Sequence, residues 1–333
     1  MSADRLTHQV SNVETAHPAV LAVLGGAPPA DTATRFNVDQ VELEADIALF
    51  CRAGHQALAA REQWWQVHLE FDDWHRADQV MGEYFLPALQ HLEPGSDPAW
   101  WYIRKHPCWR VRLRIPEGQR RMRAEIGRAL DDLTRAGHLR RWWTGCYEPE
   151  TIAFGGSQGM DVAHALFTAD SHFVLTVPEQ DHAALGRREL SVLLCSALLR
   201  GAGLEWYEQG DVWHRVAEER PLPEDVVPEW LGAMADDIRA LLQADTSVDG
   251  PLFGRGEAAH AAAPWAGAFH TAGHSLKEAS RDGALERGIR RVLAYHVIFH
   301  WNRLGLAWRT QTALAWAART AILDGPQGAV LVH

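Results

Sequence analysis

The stretch Trp109-Arg110-Val111-Arg112-Leu113-Arg114-Ile115 alternates strictly, with Trp109, Val111, Leu113 and Ile115 on one side and three arginines on the other. Successive side chains of a strand point to opposite faces, so it reads as a half-buried strand with guanidiniums along its open face. Like charges stacked on one strand repel, and a chain of net charge -11 has acid enough to interleave. The planar guanidinium fork suits carboxylate or peptide-carbonyl recognition, and a solvated strand face is the plain alternative. Working outward, Trp65, Val67, Leu69 and Phe71 alternate with Gln66, His68 and Glu70, predicting a second strand. Helical spacing covers 75–92 and 117–136, a short strand lies at Trp100–Arg104, and Leu139–Tyr147 is again extended. The order β-α-β-β-α-β predicts an α+β fold built on a ferredoxin-like sheet with helices on one face. The arginine row then lies on the uncovered face.

The composition narrows the class. At 333 residues the chain has room for two domains or one large unit with an appendage. It has no run of about 18 apolar residues, which predicts no membrane-spanning helix. The start, Met1-Ser2-Ala3-Asp4-Arg5, lacks the pattern of a signal peptide. Cys51, Cys108, Cys146 and Cys195 are scattered without a CxxC pair, so a reduced, cytoplasmic setting is expected. The only lysines are Lys105 and Lys277, a bias that a GC-rich genome produces without functional cause. Tryptophan is abundant, with doublets at Trp64-Trp65, Trp100-Trp101 and Trp142-Trp143, and its flat rings suit cores and heteroaromatic ligands alike. A pI of 5.9 argues against a nucleic-acid partner.

Residues 1–17 read as a disordered start and 18–60 as a small helical module. Its spacing resembles a helix-turn-helix, but Asp31, Asp39, Glu42, Glu44 and Asp46 occupy the surface that a DNA reader needs basic, so docking or packing is the better reading. A catalytic domain is expected over 64–330. Its second half is mainly helical: helices at Gly159–Ala169, Arg187–Arg200 and 225–243, and a long helical region from Ala284 to Ile322. Between them, His172–Val177 reads as a strand, Trp206–Trp213 as a short strand or turn, and 248–268 as a Gly, Ala and Pro-rich loop.

His296 and His300 share one helix face with Arg303 close by, while Tyr295, Phe299 and Asn302 form a neighbouring stripe. Buried polar groups at this density need partners or a ligand, and a helix-end network is the structural alternative. Zinc is disfavoured because no third ligand has a fitting spacing. Phe154-Gly155-Gly156-Ser157-Gln158-Gly159 lacks the P-loop lysine and the dinucleotide spacing, so its glycines read as allowing close backbone approach. Asp170-Ser171 has no histidine at a triad spacing, and a hydrolase reading is weak.

Several segments recur in a familiar order. They are Trp64–Phe71, Trp101–Lys105, the arginine strand, Tyr147-Glu148-Pro149-Glu150, Phe154-Gly155-Gly156, His164–Phe167, Asp170-Ser171 and Asn302-Arg303-Leu304. In this order they resemble the thiopeptide-type bacteriocin biosynthesis domain, the stand-alone relative of the elimination domain of class I lantibiotic dehydratases. The resemblance runs from about residue 64 to 320. It implies one of two activities. Eliminases remove glutamate from glutamylated Ser or Thr of a precursor peptide; pyridine synthases join two dehydroalanines of a thiazole-rich peptide by formal [4+2] cycloaddition, then lose water and the leader peptide. Eliminases of this family carry an Arg three residues after the motif Glu and a His four before the Asn of the Asn-Arg pair; here those positions are Ala153 and Ile298. Losing an anion clamp and a proton carrier favours the synthase, and the larger apolar cavity that results suits a polythiazole.

The expected roles follow from that resemblance. Tyr295, His296 and His300 are the proton-handling candidates, Asn302 and Arg303 orient, and Glu150, Tyr147 and Phe154 line the substrate site. Arg110, Arg112, Arg114 and Arg104, with Lys105, are expected to hold leader carboxylates away from the cavity; the alternative, that they lie in it, stays open. No metal and no cofactor are expected. The expected partner is the modified precursor peptide, together with other biosynthetic enzymes, without nucleic acid or membrane. A glutamate eliminase and a non-catalytic leader-binding scaffold are the alternatives.

Overall fold

The computed structural model describes residues 13–92, 98–115, 119–177, 185–223, 228–257 and 259–324. The chain divides into two units at Gln63/Trp64. In the first, α1 (Val13–Leu24), α2 (Pro29–Phe36) and α3 (Gln40–Gln63) close around Ala19, Val20, Ala33 and Leu43. Helix α1 begins within the stretch read as a disordered start; residues 1–12 of that stretch lie outside the described residues.

The second unit opens with β1 (Trp64–Phe71), followed by a helical run from Trp74 to Gln90 that includes α4 (Ala77–Val80) and α5 (Leu86–Gln90). Then come β2 (Trp100–Lys105), β3 (Cys108–Arg114), α6 (Arg120–Arg135) and β4 (Leu139–Gly145). The sheet order is β2-β3-β1-β4, every pair antiparallel, which is the ferredoxin-like order expected from the sequence. One face carries Trp65, Val67, Leu69, Trp100, Tyr102, Trp109, Val111 and Leu113 into the main core. Helix α6 covers part of it with Met122, Ile126, Leu130 and Leu133, spaced to fall on one side of a helix.

The second half is helical: α7 (Ser157–Thr176), α8 (Arg187–Gly201), α9 (Trp206–Glu219), α10 (Pro228–Gln243), α11 (Ala263–Arg281), α12 (Ile289–Leu304) and α13 (Trp308–Leu323). Every residue of α8 from Leu190 to Leu199 is buried, which makes it the central helix of this layer.

Four expectations change. His172–Val177 is not a strand: all but Val177 belong to the last turns of α7, where Phe167, Ser171 and Val174 are buried at helical spacing. Packing overrides the β-propensity of the segment. Trp206–Trp213 is helix because Glu205 and Glu208 form a reciprocal capping box ahead of it. The loop expected over 248–268 gives way to α11 at Ala263, where Pro264 stands in the first turn that tolerates proline. The long region from 284 to 322 breaks at Gly305, whose φ of 79° ends α12 in the left-handed conformation.

Candidate active site

The second face of the sheet is covered at its β2 end and exposed toward β4. By register it carries Trp64, Gln66 and His68 of β1, Trp101 and Ile103 of β2, the three arginines of β3, and Arg141 and Trp143 of β4. Over the β2 end lies a layer of rings: Trp64, Trp101, Tyr147, Phe154 and Phe167 are buried together, with Tyr295 and Phe299 packed against them. Phe154 reaches this layer because the turn before α7 passes through Gly155 and Gly156 at φ 84° and 96°, a backbone that residues with a Cβ rarely adopt.

Arg112 lies in this layer at 3% exposure, whereas Arg110 is half-buried and Arg114 exposed. Its guanidinium carbon stands 4.1 Å from the Trp101 ring centre and 4.6 Å from that of Tyr147. Its Nε donates to Gln66 Oε1 at 2.9 Å, and Gln66 Nε2 donates to the Cys146 carbonyl at 3.1 Å. Burial lowers the Arg112 pKa to about 10 against the pull of Tyr147 and Glu150, so it is charged at neutral pH. Arg104 departs from the expected row. Paired with Trp109, it faces the core side, where it bridges to Asp78 at 2.7 Å and donates to the Arg303 carbonyl at 2.8 Å.

The Tyr147 hydroxyl lies 2.7 Å from Nε2 of His164, whose ring packs, tilted, 4.7 Å from that of Trp64. Burial, with Arg112 and Arg114 nearby, lowers the His164 pKa to about 4. Burial raises that of Tyr147 despite Arg112, and Glu150 adds to the rise. Both groups are therefore neutral around pH 7, and the phenol can donate to the bare Nε2. Glu150 itself is exposed.

Behind the rings lies a buried charge network. Asp170, fully buried, accepts from Trp265 Nε1 at 2.9 Å and from His300 Nδ1 at 3.0 Å, and is bridged by Arg303 Nη1. Burial alone would raise the Asp170 carboxyl, but His300 and Arg303 hold it below the usual carboxylate range. Arg303 Nε donates to the Tyr102 carbonyl at 3.1 Å, and Ser171 Oγ accepts from the Tyr102 N–H at 3.1 Å, so α7 and α12 together seal the β2 edge. His296 is 1% exposed against Phe154, and neither of its nitrogens has a partner among the described residues. Burial lowers its pKa to about 3, with Arg303 adding to the shift.

The structure thus gathers Tyr147, Phe154, Tyr295, His296 and Arg112 around one ring layer and sets His300 and Arg303 behind it. Asn302 is elsewhere: its Oδ1 accepts from Gln311 Nε2 at 3.0 Å, toward α13. Ile298 faces the main core rather than the ring layer, so its apolar side chain does not enlarge this site; Ala153 does border the rings. His164, Asp170 and Gln66 were missed as site residues. His164, Phe167, Asp170 and Ser171 form one buried-side stripe of α7, a spacing that a helix ending at Ala169 does not reveal.

Residues 64–322 match the model of the lantibiotic biosynthesis dehydratase C-terminal family. The chain belongs to this family. Among solved structures it is similar to the tRNA-dependent lantibiotic dehydratase MibB from Microbispora sp. 107891, with 20% identity and a TM-score of 0.59 over 79% of this chain and 28% of that one. It is similar also to TbtD, a pyridine synthase from thiomuracin biosynthesis, at 13% identity and a TM-score of 0.58 over 79% of this chain and 98% of that one. TsrL matches at 13% identity and a TM-score of 0.55, covering 79% of this chain and 95% of TsrL. At these identities the likeness is one of fold. No curated protein sequence matches the chain. Among the described residues no cluster of His, Cys, Asp or Glu is arranged to hold a metal ion, and no helix is long and apolar enough to cross a membrane.

Proposed function

We propose that this family member is a pyridine synthase, closing two dehydroalanines of a thiazole-containing precursor peptide by formal [4+2] aza-cycloaddition with loss of water and leader peptide. The observation that carries the reading is the neutral Tyr147–His164 pair at 2.7 Å, set among aromatic rings above a charged, buried Arg112. Forming the reacting 2-azadiene requires the amide between the two units to pass its N–H proton to its own oxygen, giving an imidic acid. A phenol that donates and an imidazole that accepts move that proton without building net charge. The Nη1 of Arg112 and the Nε1 of Trp101, without a partner among the described residues, are donors able to hold the amide oxygen as it gains charge. Rings suit thiazoles, and much of the acceleration comes from bringing the ends of a long peptide together. His296 and Tyr295 extend the proton-handling surface, while Asp170 fixes His300 and Arg303 in position.

The retained arginines of β3 favour a second reading, a glutamate eliminase, against which Ala153 stands. The test is mass spectrometry of purified protein with a bis-dehydroalanine thiazolyl peptide bearing its leader. The synthase yields a macrocycle and a leader carboxamide. Tyr147→Phe, which keeps the ring contacts, is expected to lower kcat by about 10²–10⁴-fold. Glutamate release from a glutamylated precursor would establish the eliminase, and an unchanged mass with either peptide would leave a binding scaffold.

A further inference from the structure

The two edges of the sheet are treated differently. At β2, the outward N–H and C=O of Tyr102 are taken up by Ser171 and Arg303. In antiparallel sheets such outward groups alternate along each strand. Tyr102 points out, so Val111 opposite it points toward β1, Val67 bonds back to β3, and His68 bonds across to Trp143. The bond from the Arg114 N–H to the Ala99 carbonyl, 2.7 Å, fixes the same phase. On β4, Trp142 and Thr144 therefore turn their N–H and C=O away from the sheet. Those groups have no partner among the described residues.

An open edge is normally covered or blunted. Here Arg140, Arg141, Trp143 and Thr144 along it are exposed. The region is also basic: from Arg120 to Gly145, α6 and β4 carry seven arginines against Glu125, Asp131 and Asp132, in a chain whose net charge is -11. On the exposed face Trp143 stacks on His68 at 5.0 Å with Arg141 over it at 4.8 Å, a flat platform beside the edge. The strand then runs directly into Cys146 and Tyr147.

We propose that β4 is a docking edge on which an extended, acidic stretch of the peptide substrate adds as a fifth strand. Backbone groups of Trp142 and Thr144 would supply main-chain hydrogen bonds, and Arg140 and Arg141, which bridge Glu70 at 3.5 and 2.7 Å and carry one charge more than it cancels, would select acidic side chains. A peptide lying along β4 leads toward Tyr147, so the edge acts as a track into the ring layer. This rests on the reading of the chain as an enzyme acting on a precursor peptide, but its test does not need turnover.

The probe is a fluorescein-labelled peptide of about ten residues alternating Glu with Val and Ile, long enough to span β4 at about 3.3 Å per residue. Titrated against the full chain, it is expected to slow hydrogen exchange at the Trp142 and Thr144 amides. Binding should weaken with salt, and more shallowly in the Arg140→Gln/Arg141→Gln variant. Thr144→Pro removes an outward N–H that the fold does not use, and is expected to weaken binding about tenfold. Binding without protection at β4, or undiminished by Thr144→Pro, overturns the proposal, as does protection that appears without peptide and tracks self-association. An acidic peptide held at β4 by a chain inert toward dehydrated peptides would keep the edge and remove the chemical reading. A competent synthase with unprotected Trp142 and Thr144 would do the reverse.

Discussion

Burial lowers the pKa of three imidazoles of the second unit, His68 with help from Arg110 and Arg112, and two of them furthest: His164, to about 4, and His296, to about 3. In the unfolded chain all three titrate near 6.5. Between those values and 6.5 the unfolded state binds more protons, so stability rises with pH there and is lost as pH falls. The melting temperature is therefore expected to be flat above about pH 7 and to drop steadily toward pH 4. His296→Leu, which removes a buried group with two partnerless nitrogens, should flatten that slope in a melting series across pH; an unchanged slope would mean His296 is charged in the fold. At this scale the sequence was only partly legible. Alternation placed Arg110, Arg112 and Arg114 on one face but not the burial of Arg112, because what covers a face comes from elements distant in the chain. Arg104 sits one strand over and one residue out of phase with Trp101 and Ile103, and the register against Trp109 puts it on the core side.

At the level of elements, α7 and α12 are joined to β2 by side chains that take the place of a further strand. Ser171→Ala leaves the Tyr102 N–H buried without its acceptor, at a cost of about 1–3 kcal/mol. Asp170→Ala removes the carboxylate from between His300, Arg303 and Trp265 and strands buried charge, at about 3–5 kcal/mol. Both should appear as lowered urea midpoints with the m-value kept; a Ser171→Ala midpoint equal to the parent's would show that the Tyr102 N–H does not depend on Ser171. The strands and α6 were readable because their apolar residues repeat at clean periods of two and of three to four. The last turns of α7 and the whole of α9 were not, since His172–Val177 and Trp206–Trp213 carry aromatic and β-branched residues whose helical state is decided by packing and by the Glu205 cap.

Across the whole molecule, each unit has a core of its own among the described residues. A chain trimmed to Trp64–His333 is expected to unfold in one cooperative transition with the near-ultraviolet dichroism of its ring layer intact; a molten spectrum would show that the second unit needs the first. The family match begins at residue 64, where the units divide. The ferredoxin-like order was legible from one strand outward because hairpin and crossover rules leave few topologies for β-α-β-β-α-β. The helical half was not, since seven helices of mixed polarity can pack in many ways.

Of the two bonds that seal the β2 edge, the one to Ser171 spans 69 residues and the one from Arg303 spans 201. At about 5–20 residues per second, a ribosome takes roughly 10–40 s to travel from Tyr102 to Arg303. From the completion of β4 until Arg303 arrives, the sheet has β4 open on one side and the Tyr102 carbonyl open on the other, and loop closure over such a span is slow in its own right. The nascent chain is thus at its stickiest after its sheet can form and before its penultimate helix exists, and it is in that window that a holding chaperone or a lowered growth temperature should raise the yield of folded protein.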